Sequence, residues 1–183
     1  MYYGAGINET ADNTGCGAPG DATHLLRALV EADLEPGVAC FGWMYDPSAL
    51  DACFTAGVGS TIENFVLGGK LEVEQGGMDE PIAGGPIVCS ARVRVLTDGV
   101  CPARPGSVGY YGPGSKRSLG RMARVVINNV DVLINEVRTQ SMDEGAFTLA
   151  GIDVARYKIC GIKSSTHFRA GWGEYNAAGC TFW

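Results

Sequence analysis

The sequence predicts one domain of the α/β or mixed α+β class, built on a mixed sheet with flanking helices and an antiparallel, strand-rich middle region. Two observations support this fold class. Short apolar runs alternate with well-capped helical segments in the early part of the chain, which favours parallel pairing of strands. Between about residues 60 and 138, strand-like segments are separated by turns rich in Gly and Pro, a pattern typical of antiparallel pairing.

In the first part of the chain, residues typical of helix ends mark where the predicted helices begin and end. Asp21 stands before a helical pattern and is predicted to be its N-cap. Asp46 is predicted to be a second N-cap, because Pro47 follows it at the first helical position, and this helix ends at Gly57. We predict strands over residues 3–11 and 38–44, and helices over residues 22–32 and 47–56.

The later elements follow from apolar runs between turns. Two adjacent runs predict a hairpin that turns near Asn129, and Asp153 is predicted to cap a turn. We predict strands over residues 60–68, 70–75, 87–97, 107–111, 121–128, 131–138 and 157–163, a short helix over 143–149, and a last helix that opens within 163–169.

Length and composition indicate one globular domain over residues 1–183. A chain of 183 residues is enough for one domain with a core and too short for two. Hydrophobic residues make up 46% and charged residues 19%, an ordinary globular balance. The chain begins close to a predicted first strand and ends without a polar tail. We therefore expect it to be a fragment of a longer protein.

Charge and cysteine usage exclude several classes of partner and site. The net charge is −6 and the Lys and Arg residues are scattered, so we expect no nucleic-acid partner. No apolar stretch approaches the length of about 20 residues that a membrane span needs, and the start has no signal-peptide pattern. The seven cysteines are odd in number and lack a Cys-x-x-Cys pair, which predicts reduced thiols in a cytoplasmic protein.

One group of candidate site residues lies in the small-residue loop before the first helix: Asp12, Asn13, Gly15 and Gly17. Glycine-rich backbone before a helix N-terminus exposes N–H groups and the positive end of the helix dipole, a geometry that favours anions. The same residues also fit a tight turn in which the two polar side chains bind local backbone. Both interpretations remain open from the sequence.

A second group follows the predicted strand 157–163: Lys163, Ser164, Ser165, His167 and Arg169. In an α/β sheet the carboxyl ends of the strands face the ligand crevice. The two cations are suited to a carboxylate, and the imidazole is suited to donating or accepting a proton. The alternative is ordinary helix capping by the serines, with both cations in solvent.

Neither group supplies a recognisable catalytic centre. His24 lies on the polar face of a predicted helix, far in sequence from His167, and no His-x-His or His-Glu-x-x-His spacing occurs. A Gly-x-Ser-x-Gly elbow and a Cys next to a His are also missing. We therefore assign no catalytic residue and no metal ligand to this chain.

Three stretches of the chain share their order and spacing with a known family: residues 11–21 with 26–32, residues 46–70, and residues 151–157 with 163–170. Taken together they resemble the C-terminal domain of the microcystinase C (MlrC) family of zinc metallopeptidase-like proteins. The resemblance covers about residues 5 to 172. Thr14 departs from the family, which usually has proline there.

The resemblance implies a protein whose zinc ligands and catalytic acid lie in a preceding N-terminal domain that this chain lacks. It implies that the two candidate loops line the substrate side of that active site, with zinc bound in the full-length protein and no cofactor here. The implied partners are the N-terminal metal-binding domain and a small peptide or amide substrate. The isolated chain is then expected to be inactive. A stand-alone anion- or carboxylate-binding module and a structural dimerisation module remain alternatives, and a homo-oligomer is left open.

Overall fold

The computed structural model describes residues 4–71, 83–102, 116–172 and 181–182. The strands are β1 (Ala5–Asn8), β2 (Ala39–Tyr45), β3 (Thr61–Leu67), β4 (Ile87–Thr97), β5 (Val100–Pro102), β6 (Lys116–Ser118), β7 (Met122–Ile127), β8 (Val130–Asn135), β9 (Ile159–Ile162) and β10 (Thr181–Phe182). The helices are α1 (His24–Glu31), α2 (Pro47–Ala56), α3 (Gly145–Leu149) and α4 (Phe168–Gly171). Short 3-10 turns lie at Thr10–Asp12, Thr14–Cys16 and Val154–Arg156.

The main sheet has a parallel half and an antiparallel half. Within the described ranges it contains eight strands in the order β10-β1-β9-β2-β8-β7-β4-β3. The first five of these pair in parallel, and β8, β7, β4 and β3 pair antiparallel. Strands β5 and β6, which the sequence pattern did not predict, form a separate two-stranded sheet. The predicted mixed α/β fold is therefore confirmed.

Helices cover both faces of the parallel half. Successive residues of a strand point to opposite faces, so Phe41 packs with α1 and α2 whereas Cys40 packs with α3 and α4. On the second face, the rings of Phe147 and Trp172 meet edge to face with centroids 5.7 Å apart. This layering leaves the carboxyl ends of the parallel strands, rather than a sheet face, as the place where loops gather.

The helix boundaries confirm one predicted cap and correct the other. Asp46 caps α2 by accepting from Ala49 N–H at 3.0 Å, as predicted. Asp21 is not the N-cap of α1, because Thr23 occupies that position. The Oδ2 atom of Asp21 instead accepts the N–H groups of Lys70 and Leu71, each at 2.8 Å. The predicted cap was wrong because the segment after β3, distant in sequence, supplies these donors.

The remaining differences concern element lengths. β1 is shorter than residues 3–11, since the chain turns at Glu9 into two 3-10 turns. The predicted hairpin is confirmed with its turn at Asn128 and Asn129, both with positive φ, and Asp153 accepts from Ala155 N–H as the predicted turn cap. α4 begins at Phe168, within the predicted opening segment 163–169. The predicted strand 107–111 lies outside the described residues. Of the predicted strand 70–75, residues 70 and 71 are not in a strand, because their N–H groups bind Asp21 instead of a neighbouring strand, and residues 72–75 lie outside the described residues.

None of the helices in the described part of the chain is both long enough and apolar enough to cross a membrane. Six cysteines lie in the described ranges, and all six are free thiols: Cys16, Cys40, Cys53, Cys89, Cys101 and Cys160.

Candidate functional site

The two candidate loops meet because β1 and β9 are parallel neighbours in the sheet. Asn8, the last residue of β1, is in register with Ile162, the last residue of β9. The loop from β1 to α1 (residues 9–23) and the loop from β9 to α4 (residues 163–167) therefore leave the sheet side by side at the same edge. The two sequence groups, about 150 residues apart in the chain, form one site.

A buried ion cluster joins these loops. Lys163 is only 2% exposed. Its Nζ atom donates to a carboxylate oxygen of Glu9, to Oδ2 of Asp12 at 2.7 Å and to the carbonyl oxygen of Ala22 at 2.7 Å. An ammonium group has three N–H donors, so the chain itself uses all of them. Lys163 thus holds the two loops together, and its charge is not presented to a ligand.

The same carboxylates bind the N–H groups at the start of α1. Asp12 accepts from Gly20 N–H and Ala22 N–H, both at 2.7 Å, and Glu9 accepts from Leu25 N–H at 3.2 Å. Negative charge is stabilised near the N-terminus of a helix. Here the chain's own carboxylates take the position that an external anion would take in a glycine-rich anion site.

Asn13 makes a second connection between the loops. Its Oδ1 accepts from Gly15 N–H at 2.9 Å, and its Nδ2 donates to Ser165 Oγ at 2.8 Å. The same Nδ2 also lies 3.3 Å from the sulfur of Cys16. Asn13 is buried, so it fixes the turn of its own loop and the path of the other.

Gln140 completes the site from a third loop, residues 136–144, which follows β8. Its Nε2 donates to Ser164 Oγ at 3.1 Å, and its Oε1 lies 3.1 Å from Nδ1 of His167. A Cβ atom on Gly15 would stand 2.3 Å from this Oε1, so Gly15 provides the space for Gln140. Gln140 thus contacts both candidate loops, and it is only 4% exposed.

Glu9 and Gln140 are not among the site residues predicted from the sequence. Glu9 lies inside the predicted strand 3–11. Gln140 belongs to no local motif. The signal available for both was topological, because each follows a strand of the parallel half, and parallel strands place their carboxyl ends at one edge.

The predicted site residues divide into a buried set and an outward-facing set. Asp12, Asn13, Lys163 and Ser164 are buried, and Ser165 is half-buried. The exposed members are Gly15, Gly17, His167 and Arg169. Gly17 ends the 3-10 turn in the left-handed conformation, with φ of 90°.

A cleft of about 450 Å³ lies against the β1–α1 loop. Its lining includes three carboxylate residues, Glu9, Asp12 and Asp21, together with Asn13 and His24. Lys163 balances only one of the negative charges of Glu9 and Asp12. The three carboxylates are at most 8% exposed and accept hydrogen bonds from the chain itself, so they contribute negative charge behind the cleft rather than free acceptors, and this charge favours a positively charged ligand.

The match to a protein family covers almost the whole chain. The family model described as MlrC C-terminus matches residues 7–180. The chain belongs to this family. This MlrC C-terminal domain is 28% identical over 166 residues to Microcystinase C from a Sphingomonas species, an alignment that covers 91% of the chain and 29% of that relative.

The fold of this MlrC C-terminal domain also occurs in a solved structure. A crystal structure from Mesorhizobium sp. BNC1, described provisionally as a metallopeptidase, matches it with a TM-score of 0.76 at 18% sequence identity. The match covers 98% of this chain and 32% of that one, so the domain spans about three tenths of the length of both relatives. At this identity the likeness establishes the fold.

The donor set of the described residues does not fit a zinc ion. Within the ranges that the structure describes, no group of three or more His, Cys, Asp or Glu side chains is placed to hold a metal. Protein zinc sites use three or four such ligands. We therefore assign no chemical step through a metal to the residues of this domain.

Proposed function

We propose that this chain is the C-terminal domain of a microcystinase C-like zinc metallopeptidase or amide hydrolase, and that it forms one wall of the active site. The metal and the catalytic acid would lie in a preceding N-terminal domain. The observation that carries the proposal is that two loops meet at one edge of the sheet. Buried or partly buried hydrogen bonds hold the loops together, and the polar side chains on their outer side are exposed.

The buried residues give the wall its rigidity. The Lys163–Asp12 and Asn13–Ser165 contacts each link the two loops, and the first of them is buried. Binding groups held by such contacts keep a fixed position, which lowers the entropic cost of orienting a ligand. Lys163 and Asp12 thus act by positioning other groups.

The outward-facing residues are the ones suited to contact a substrate. His167 and Arg169 are exposed on the β9–α4 side, and Gly15 and Gly17 are exposed on the β1–α1 side. An arginine binds a carboxylate through two parallel hydrogen bonds, and an imidazole donates or accepts one. The wall then orients a small peptide or amide, and bond cleavage belongs to the metal-bearing domain.

Family membership and the two relatives support this role. Microcystinase C and the Mesorhizobium protein are both about three times longer than the matched region, as the coverage of 29% and 32% requires. A domain that forms one wall of a site shared with another domain fits that division of length. Ligand sites occur preferentially at such domain interfaces.

The alternative of a stand-alone anion-binding module is less well supported by the geometry. The N–H groups of Gly15, Gly20, Ala22 and Leu25 each have a side-chain acceptor within the chain. A structural dimerisation module is favoured by one observation: Val66 and Val88 pair across β3 and β4 and are 40% and 62% exposed. Two exposed valines form a small patch compared with ordinary interfaces.

The test of the wall uses the longer, zinc-loaded protein that the proposal requires, with a panel of short peptides as substrates. We expect Arg169→Ala to raise KM or lower kcat, because the exposed guanidinium no longer contacts the substrate. Arg94→Ala is the matched control, since Arg94 is also exposed but lies on β4 of the antiparallel half. Unchanged kcat and KM in both Arg169→Ala and His167→Ala would contradict the proposal.

A further inference from the structure

The side-chain amide of Gln140 lies between two polar groups and has a defined orientation. Its Nε2 is 3.1 Å from Oγ of Ser164, and its Oε1 is 3.1 Å from Nδ1 of His167. Gln140 and Ser164 are both buried. An amide nitrogen only donates hydrogen bonds and an amide oxygen only accepts them. In the orientation that the structure gives this amide, Nε2 donates to Ser164 and Oε1 accepts from His167.

This orientation fixes the tautomer of His167. Because Oε1 of Gln140 only accepts, Nδ1 of His167 must carry the hydrogen of the neutral ring. The other ring nitrogen, Nε2, then has an unprotonated lone pair. His167 is exposed whereas Gln140 is buried, so the ring edge that carries Nε2 is the one presented outward.

We propose that Gln140 is a positioning residue that holds His167 as the Nδ1–H tautomer, and that Nε2 of His167 accepts a hydrogen bond from an N–H group of the substrate. The ligand class is an amide or a protonated amine. The identity of the ligand rests on the proposed function, whereas the tautomer does not depend on it.

The neighbouring cleft favours the same ligand class. Glu9 and Asp12 bring two negative charges against the single positive charge of Lys163, and Asp21 lies in the same lining. Excess negative charge behind a cleft favours a positively charged group, such as a protonated amine, at that place. His167, with Nε2 unprotonated, adds an exposed acceptor on the adjoining β9–α4 loop, which Asn13 of the cleft lining contacts at Ser165.

The tautomer is measured on the chain itself by two-bond ¹⁵N–¹H correlation spectra of the imidazole rings. The spectra are recorded about two pH units above the usual histidine pKa of about 6.5, where the ring is neutral. The chain has only two histidines, so His24→Asn assigns the signals and His24 then serves as an internal control. We expect His167 to show the Nδ1–H pattern, which is the less common tautomer of a histidine side chain in water.

Two substitutions of Gln140 distinguish positioning from a structural role. Gln140→Met keeps the length of the side chain and removes the acceptor, so we expect His167 to shift towards the Nε2–H tautomer. Gln140→Glu keeps an acceptor for Nδ1–H and is expected to retain the wild-type tautomer. An Nε2–H pattern in the wild type, or the same tautomer in wild type and Gln140→Met, would overturn the positioning role.

The role of Nε2 is tested by kinetics in the longer, zinc-loaded protein with short peptides. The side-chain amide of glutamine reaches the position of Nε2, whereas that of asparagine reaches only the position of Nδ1. We expect His167→Asn to lower kcat/KM by about 2- to 12-fold, the range for one hydrogen bond, and His167→Gln to lose less. Equal losses in the two variants would overturn the role of Nε2.

The NMR measurement of the tautomer and the kinetic measurement on the longer protein test separate claims, so one claim can be wrong while the other is right. If the Nδ1–H tautomer depends on Gln140 but every substitution of the wall leaves kcat and KM unchanged, the positioning role stands and the proposed function is wrong. If the wall substitutions alter the kinetics but His167 is the Nε2–H tautomer, the proposed function stands and this inference is wrong.

Discussion

Lys163 and Asp12 lie 151 positions apart in the sequence, yet Nζ of the lysine is 2.7 Å from Oδ2 of the aspartate inside the domain. Both side chains are buried, and Glu9 shares the same ammonium group. This contact joins the loop that follows β1 to the loop that follows β9, two neighbouring parallel strands, and so holds the candidate site together.

Replacing Lys163 by Met is expected to lower the free energy of unfolding by about 3–5 kcal/mol. The substitution leaves two buried carboxylates without their cation, which is the costly way to break a buried ion pair. The measurement is urea unfolding followed by circular dichroism. Lys158→Met is the matched control, because Lys158 is exposed, and it should change stability by no more than about 0.5 kcal/mol. A loss below about 1 kcal/mol at Lys163 would contradict the prediction.

Gly15→Ala is expected to displace Gln140. The new Cβ would stand 2.3 Å from Oε1 of Gln140, so the amide must move and lose its bonds to Ser164 and His167. The cost is about 1–3 kcal/mol, the range for overpacking. Thermal or urea unfolding measures it, together with the NMR signals of His167.

A second substitution separates this clash from ordinary backbone strain. In the Gln140→Ala background, Gly15→Ala should cost less than in the wild type, because the opposing atom is gone. Gly17→Ala is the control for conformation, since a Cβ there meets nothing and only the positive φ is unfavourable. If the effect of Gly15→Ala is equal in both backgrounds, the clash with Gln140 is not its cause.

Asp46→Ala is expected to destabilise the domain by about 2 kcal/mol or more. The carboxylate caps α2 at Ala49, accepts Gly68 N–H at 2.8 Å and pairs with Lys70 at 2.7 Å. Loss of the cap alone costs about 0.5–2 kcal/mol, and the buried Gly68 N–H loses its partner as well. Asp51→Ala is the control, because Asp51 is an exposed residue of the same helix; equal effects at both positions would refute the role of Asp46.

Stability is expected to fall as pH rises above about 9. Burial raises the pKa of the Cys53 thiol from 9.0 to about 12, and burial raises that of Cys89 to about 11. The unfolded chain therefore releases these protons at lower pH than the folded chain does. A thiol whose pKa is higher in the folded chain contributes its full stabilisation at a pH below the pKa that it has in the unfolded chain. This contribution to the free energy of unfolding is lost as the pH rises towards the pKa in the folded chain.

The slope of the free energy of unfolding against pH identifies the thiol that is responsible for the decline. One such group contributes up to about 1.4 kcal/mol per pH unit, measured by urea unfolding between about pH 9 and 10.5. Cys53→Ala should make the decline shallower, whatever its effect at neutral pH. Cys16→Ala, at an exposed position, should leave the slope unchanged. An unaltered slope in Cys53→Ala would show that another group governs the alkaline decline.

Zinc alone is expected to leave the melting temperature of the chain unchanged. Any ligand that binds the folded state in preference to the unfolded state raises this temperature, and the described residues offer no set of three metal ligands. Differential scanning calorimetry with zinc, short peptides and small carboxylates checks this. A zinc-dependent increase would reveal a metal site in this chain and would contradict its assignment to a preceding domain.

Local sequence signals determined much of the fold. Apolar runs between turns located β2, β3, β4, β7 and β8, because each of these strands buries at least one face and therefore carries apolar residues at regular positions. The Asp46-Pro47 start of α2 was predictable because an N-cap and a first-turn proline act within four residues. Asp21 misled the same reasoning, since its hydrogen-bond donors come from residues 70 and 71.

The sequence by itself determined the fold class, most of the strands and helices, and the two groups of polar residues that follow β1 and β9. Only the tertiary structure decided that these groups meet, that Lys163 is buried between Glu9 and Asp12, and that Gln140 holds His167. The physical reason is range. Helix caps and apolar periodicity act over a few residues, whereas the site depends on strand order, which places β9 between β1 and β2 and brings three distant loops to one edge of the sheet.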